Sequence, residues 1–477
     1  MKKILLLILL VSISGSIFAQ QFSQYNTGTL YDSFENPSQK AFIPDSSKQF
    51  ASNFLVPNFG GDFFLTGNTQ ATLKSRAFAN VYDNSQLMIG QGRYNHINVN
   101  VNAYSLMFKM FSSLNGDVEL GFSAQTKIEG KGTFTDESIA LLNGPQGFSE
   151  DGYTNIFNDD YFFQTYHQFS FTYKEKINKS FTVGAKLSAL LGIQYEQLKV
   201  VNSQIVFDRP FDSAIIGLSG IYYSSYIPGH LTGRDYLPTF RNPGAAITMG
   251  ASYRTEDGYT IQGNIKDLGF IHWSARSTVY AFSSARNVGG LSTKSREDSV
   301  YNAVYKITHT NGIGGSFDTP INGRAELSVN HQYWLDDNKN FRYSPTLIAS
   351  KELFYPGFTG ALVNPFSYKK YTLTLTTTYD DMKLFNLGAQ FMVQTPNFEF
   401  YFGSDRLMQS VSLASAAIGS SSGQTFQNSS FSGGNFFLGF SLKIGPVIEH
   451  PLNASVIPTG EKGFLGRLWG RLFKTND

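Results

Sequence analysis

From Ser180 the chain alternates. Phe181, Val183, Ala185, Leu187, Ala189, Leu191, Ile193 and Tyr195 share one parity, against Ser180, Thr182, Gly184, Lys186, Ser188, Gly192, Gln194 and Glu196, with Leu190 the exception. Successive strand side chains point to opposite faces, so this predicts a strand with one apolar and one polar side. Val118, Leu120, Phe122 and Ala124 repeat the pattern, as do Tyr259, Ile261 and Ile265, then Tyr371, Leu373 and Leu375. Phe385, Leu387, Phe391 and Val393 follow, and last come Phe436, Leu438, Phe440, Leu442 and Ile444. Several runs are about 14 to 17 residues long, beyond the roughly 5 to 6 usual in soluble sheets and the 9 to 11 that cross a bilayer. In one run the apolar set slips by a residue, from Ile97, Val99, Val101 and Ala103 to Tyr104, Leu106, Phe108 and Met110. A bulge near Ala103 or Tyr104 would repair it.

Alternation leaves open which face is wet. A soluble barrel hides its apolar parity inside, whereas an outer-membrane barrel turns it toward lipid. The N-terminus favours the second. Met1-Lys2-Lys3, a greasy run from Ile4 to Val11 and Ala19 before Gln20 read as a secretory signal peptide cut near Ala19. Composition agrees: aromatic residues are 15% of the chain and charged residues only 16%, against about 25% charged in soluble domains. Rings at the ends of apolar strands would form interface girdles. The expected fold class is therefore all-β, a transmembrane antiparallel β-barrel of 14 strands, with 16 as the alternative because bacterial single-chain barrels use even numbers.

The expected organisation is a signal peptide (1–19), a periplasmic or plug segment (20–45), the outer-membrane barrel with extracellular loops (46–445) and a periplasmic tail (446–477). The segments around 60–90 and from Val200 to Gly233 are further candidates to fill the lumen. Thr135 to Leu142 reads as one short helix. Ser410 to Gly434, rich in Ser, Gly, Ala and Gln, reads as a surface loop before the last strand.

Chemistry is sparse. The 477 residues contain no Cys, which excludes disulfides, thiolate metal sites and a Cys nucleophile. The seven His are dispersed, with no metal-ligand spacing. Gly419 to Gly423 matches a nucleophile elbow only formally, and Asp336 to Asn340 lacks the Gly of a calcium loop. No enzyme, cofactor or metal site is expected. A net charge of +2 gives no reason to expect nucleic acid. In the tail, Phe464, Leu468, Trp469, Leu472 and Phe473 recur at helical spacing among Lys462, Arg467, Arg471 and Lys474. That profile suits a membrane interface or a protein partner.

Three motifs carry a family resemblance: Glu35-Asn36-Pro37 with Ile43-Pro44-Asp45, the run Lys266-Asp267-Leu268-Gly269-Phe270-Ile271-His272-Trp273, and Phe398 to Gly403-Ser404-Asp405. On these the chain resembles an uncharacterised family of Bacteroidota outer-membrane barrels, with a wall similar to the long-chain fatty-acid-transporter (FadL-like) type. The resemblance implies structural roles for Asn36, Pro37, Pro44, Asp45, Asp267, Gly269, Trp273, Gly403 and Asp405. It also implies a location in the cell outer membrane, outer-membrane lipid as surroundings, and the barrel assembly machinery as partner during biogenesis. The expected function is a pore or transporter for a small solute, hydrophobic solutes included. The alternative is a non-transporting barrel that anchors a periplasmic or surface protein assembly.

Overall fold

The computed structural model describes residues 22–111, 117–226, 232–418, 431–450 and 453. Among them, fourteen antiparallel strands close into one barrel. Strand β1 is Lys48–Ser52 continued by Asn58–Thr66. Then come β2 (Tyr94–Phe111), β3 (Val118–Thr135), β4 (Asp160–Lys176), β5 (Phe181–Asp208), β6 (Pro243–Arg254) and β7 (Thr260–Trp273). Next, β8 is Phe317–Pro320 with Arg324–Asn330, and β9 is Phe341–Tyr343 with Thr346–Glu352. The wall ends with β10 (Phe358–Tyr368), β11 (Tyr371–Asp380), β12 (Phe385–Thr395), β13 (Phe398–Ser404) and β14 (Phe431–Val447). β14 pairs back with both parts of β1, which closes the wall.

The expected slip is real. Tyr104 pairs with Gln125 but Leu106 with Ala124, so one residue bulges there. In the gap of β1, Phe54 and Leu55 have φ of 48° and 64°. The Asn53 amide stands in for the lost ladder, donating to Val56 O at 2.9 Å and Tyr104 O at 3.2 Å and accepting from Met107 N at 2.8 Å.

The two faces follow the membrane arrangement. Leu187, Phe171, Leu347, Leu373 and Phe385 are exposed on the outside, while Lys186, Thr172, Gln168, Thr374 and Gln390 are buried inside. Both barrel ends, Lys48 and Val447, are paired at the end with short turns; the other end carries the long connections.

The N-terminal segment enters the lumen and carries helix α1 (Leu30–Glu35). The long connections fold into a cap with helices α2 (Thr69–Ala79), α3 (Asp136–Asn143), α4 (Arg296–Thr308) and α5 (Leu407–Ile418). The α3 helix stands where the sequence pointed, with the Thr135 hydroxyl accepting from Ser138 N at 3.3 Å as its N-cap. Upper β5 leaves the wall and pairs with the strand Ser213–Ser224, which pairs with Thr278–Gly289.

Four sequence expectations are corrected. Ser410 to Gly434 is not all loop, since residues 410–418 belong to α5 and 431–434 to β14. The segment around 60–90 supplies the upper part of β1 and then α2, and within Val200–Gly233 residues 200–208 supply upper β5 and Ser213–Ser224 the strand beside it. The second segment does not fill the lumen, because its apolar residues, among them Val200, Ile205, Phe207, Ile216 and Leu218, pack with Leu141 and Ile307 as the core of the cap, and Leu87 and Ile89 of the first pack against that core. Asp62 and Phe64 of the first face the lumen only as part of the wall. Gly445-Pro446 does not end the last strand. β14 continues to Val447 through a register shift, with Gly445 at φ 94°, a conformation glycine adopts without strain. No helix among the described residues is long and apolar enough to cross a membrane. The signal peptide, Gly419 to Gly423 and the amphipathic tail lie outside the described residues.

Candidate functional site in the barrel lumen

The inward parity supplies charges, and the N-terminal segment meets them from the turn end upward. At its base, Asp45 sits at φ 59°. Its N–H donates to Ile448 O at 2.6 Å, and its carboxylate accepts from His450 N at 2.7 Å and Asn453 Nδ2 at 3.1 Å. Half-buried Pro44 precedes it. These bonds tie the plug's stem to the chain leaving the last strand. Just above, Glu119 is buried between Lys174 at 2.8 Å and Lys109 at 3.3 Å, and accepts from Ala41 N. Lys109 also donates to Ser33 O at 3.2 Å. Across the lumen, Glu399 accepts from Leu30 N at 2.8 Å and Ser441 Oγ at 2.7 Å, with Lys443 at 3.4 Å.

The middle layer surrounds α1. Thr29 caps the helix, accepting from Asp32 N at 3.2 Å. Glu35 accepts from Tyr104 Oη at 2.8 Å and lies 3.4 Å from Lys266, which is also 3.1 Å from Glu326. Asp267 turns inward because β7 bulges between Ile265 and Leu268, with Asp267 itself at φ 49°. This sends both Lys266 and Asp267 into the lumen, where a regular strand would send only one. Asp267 pairs with Lys127, lies 3.5 Å from Lys186 and accepts from Gln168 at 3.0 Å.

The turn after α1 rests against the wall where Gly184 of β5 pairs with Gly250 of β6. A Cβ on Gly184 would strike the Pro37 carbonyl, and one on Gly250 the Asn36 amide. Asn36 Oδ1 holds the turn by accepting from Ser38 N at 3.1 Å. The two glycines form a seat cut for this turn. At the loop end, Asp405 accepts from Phe22 N at 2.9 Å and Ser23 Oγ at 2.6 Å, and Gln24 donates to Gln390 at 2.7 Å.

Two plug carboxyls three residues apart differ sharply. Burial pushes Asp32 up to about 7, against the pull of the Gly28 N–H and Lys266. Burial acts on Glu35 too, but Lys266, Lys186 and Lys127 outweigh it and hold that carboxyl at about 2. Around the N-terminal segment, small polar-lined spaces remain in the lumen among the described residues. One touches Asp32, Asn102, Glu129 and Arg324; another opens beside Asp62, Asp380, Asp405 and Arg406. Each has room for a few waters.

The structure brings Asn36, Pro37 and Asp405 to the contact between the N-terminal segment and the wall, Asp267 to the wall charges around α1, and Asp45 to the stem of the segment. Gly269, Trp273 and Gly403 belong to the wall. A Cβ on Gly269 would run into Ala245 and Ala246, and one on Gly403 into Ala389 and Phe437. Trp273 is fully buried and donates to Thr319 Oγ1 at 2.7 Å. The sequence reading gave no site role to Glu35, Glu119 or Glu399. For Glu119 and Glu399 the signal was a carboxylate at a lumen parity with lysines at matching parity on neighbouring strands; Glu35, at the end of α1, carried no such signal.

The profile of a family of unknown function (DUF5723) matches residues 41–405. The chain belongs to this family. The DUF5723 match begins at Ala41, beside Glu119, and ends at Asp405. No curated protein matches the sequence. Among solved structures, the chain is similar in fold to the Ralstonia pickettii toluene transporter TbuX, with 10% identity and a TM-score of 0.42 over 86% of this chain and 93% of that one. It is similar to the Pseudomonas putida toluene transporter TodX, with 8% identity and a TM-score of 0.41 over 86% and 93%. A Pseudomonas aeruginosa FadL homologue matches with 13% identity and a TM-score of 0.39 over 88% and 92%.

Proposed function

We propose that this chain is an outer-membrane transporter closed by its own N-terminal plug, and that a small solute passes when the plug shifts. The observation that carries the reading is the kind of contact holding the plug. A segment tethered to the wall through Lys48 fills the lumen with hydrogen bonds and ion pairs to Glu119, Glu399, Lys266 and Asp405. Such contacts can be exchanged for water, which a greasy core cannot do. The outward apolar files support a lipid setting, and the short turns with both barrel ends support a periplasmic lower end. The polar lining of the remaining lumen favours a polar solute over the hydrophobic one that the family resemblance suggested. The reading is of a non-catalytic protein without cofactor, surrounded by outer-membrane lipid and inserted by the barrel assembly machinery.

Gly250→Leu tests it by filling the seat of the Asn36 turn. In planar bilayers the native chain should show little conductance and the variant clear, long-lived openings. Equal, closed behaviour in both would sink the transport reading. One observation favours the alternative of an anchor: Asp45 ties the plug stem to Ile448, His450 and Asn453, at the start of the C-terminal segment. An anchor would stay closed in both forms and capture a defined periplasmic or surface protein.

A further inference from the structure

The segment 232–242 is folded against the outside of the barrel. On β4, Phe169 and Phe171 share a parity with His167, and Phe171 is half exposed. His167 therefore points away from the lumen, bonded to outward Thr126 at 2.9 Å. Its other ring nitrogen bonds to Tyr236 O at 2.8 Å. Residues 236–242, which lead into β6, thus cross the outer surface of β5 from β4. Burial along β5 agrees. Leu187 is 57% exposed, but Leu191, paired with His167 on the same outward file, is 4% exposed.

The crossing is well built. Asp235 accepts from Thr232 N at 2.9 Å and Thr232 Oγ1 at 2.8 Å, and from Arg241 Nη1 at 3.1 Å. What it presents outward is apolar and cationic. Tyr236, Leu237 and Phe240 are 51%, 60% and 82% exposed, and Arg234 and Arg241 are exposed beside them.

Height identifies what covers this patch. Below the crossing the wall shows a continuous apolar band, with Phe169, Phe171 and Tyr173 on β4, Val183 to Ala189 on β5 and Ile247 to Tyr253 on β6. On the outward file of β4 it ends at charged Glu175. Nine tilted strand residues from His167 to Glu175 span roughly 20 Å, near the lipid-facing belt of about 25 Å. Irregular backbone is not tolerated in the hydrocarbon itself. The crossing must then lie at the upper edge of the belt, in the headgroup layer of the loop-side leaflet. There, aromatic and aliphatic side chains enter the acyl boundary and guanidinium groups meet phosphate.

We propose that residues 232–242 form a lipid-docking strap whose Tyr236, Leu237 and Phe240 enter the bilayer interface while Arg234 and Arg241 engage lipid phosphate. This rests on the membrane reading above. The test uses nitroxide labels, each unique because the chain has no Cys. Labels go at Thr239→Cys in the strap, Leu187→Cys on the wall and Tyr301→Cys on the exposed face of α4, with the full chain in phosphatidylglycerol-containing vesicles. Accessibility is read against oxygen, which concentrates in lipid, and a water-soluble nickel chelate. The expected order of nickel accessibility is Tyr301 highest, Thr239 several-fold lower and Leu187 lowest. Arg234→Gln with Phe240→Ala should shift the Thr239 label toward the Tyr301 value. A Thr239 label as accessible as Tyr301 beside a lipid-buried Leu187 label overturns the strap alone. A water-accessible Leu187 label overturns the membrane reading. A Thr239 label shielded from both reagents means a second copy covers the patch, and also overturns the strap.

Discussion

The lower and upper halves of β5 carry the same alternation to opposite ends. In the lower half, Lys186 and Ser188 are buried on the lumen side while Leu187 between them is 57% exposed. In the upper half, Ile205 and Phe207 are buried under the cap while Val206 is 53% exposed. The lower half hides polar groups, and the upper half hides apolar ones. What differs is the covering layer. The lumen face meets a polar plug and neighbouring charges, whereas the cap face meets Leu141 of α3 and Val300, Ala303 and Ile307 of α4. Alternation says that a strand has two faces; whatever packs on each decides which is dry.

The comparison can be broken most forcefully at Glu119. Glu119→Ala leaves Lys109 and Lys174 buried without their shared carboxylate, and should cost about 3–5 kcal/mol, read as a lower temperature for heat-modified gel migration. In the apolar core above, Ile205→Ala should cost about 2–5 kcal/mol. That loss should appear as protease cleavage confined to the cap, with barrel migration unchanged. A cap and barrel that melt together would mean the two regions are one cooperative unit. On the outward face, Leu187→Arg should cost about 2–4 kcal/mol in vesicles, whereas Val206→Arg, also exposed, should stay within about 0.5 kcal/mol. Equal penalties at the two positions would show that both faces meet the same surroundings.

The smallest effect concerns Asp32. Its carboxyl is raised to about 7 in the folded plug, above the ordinary value of about 4. Its contribution to plug seating is therefore complete below about pH 4 and is lost as pH rises through about 7. Proteolysis at exposed Lys40 should accelerate from pH 6 to pH 8 in the native chain and much less in Asp32→Asn. A native profile as flat as that of the variant would contradict this.

Much of the wall was legible because period two persists through long runs. The slip at Ala103 and Tyr104 named its own bulge, and Lys186 on a polar parity pointed to the lumen. Asp336, in a run that lacks the glycine of a calcium loop, closes a polar turn instead, accepting from Asn340 N and Phe341 N. The plug seat was less legible. Gly184 and Gly250 look like ordinary polar-parity positions until β5 and β6 are paired, which no local pattern specifies. Lys266 and Asp267 are adjacent, so alternation sends them to opposite faces; only the bulge turns both inward. Upper β5 misled for a related reason. Its apolar residues fit a lumen filler as well as a cap core, and α4, which decides between them, lies about a hundred residues further along the chain.

The central claim is that the plug closes the lumen and must shift for solute to pass. The Ser23 and Thr376 hydroxyls lie 2.9 Å apart, which places a cysteine pair within reach of a disulfide in a chain otherwise free of Cys. Uptake of small polar solutes into vesicles should be blocked in oxidised Ser23→Cys/Thr376→Cys and restored by reduction. Uptake that is unchanged by locking the plug, or absent in the reduced form and in the native chain, would contradict the account.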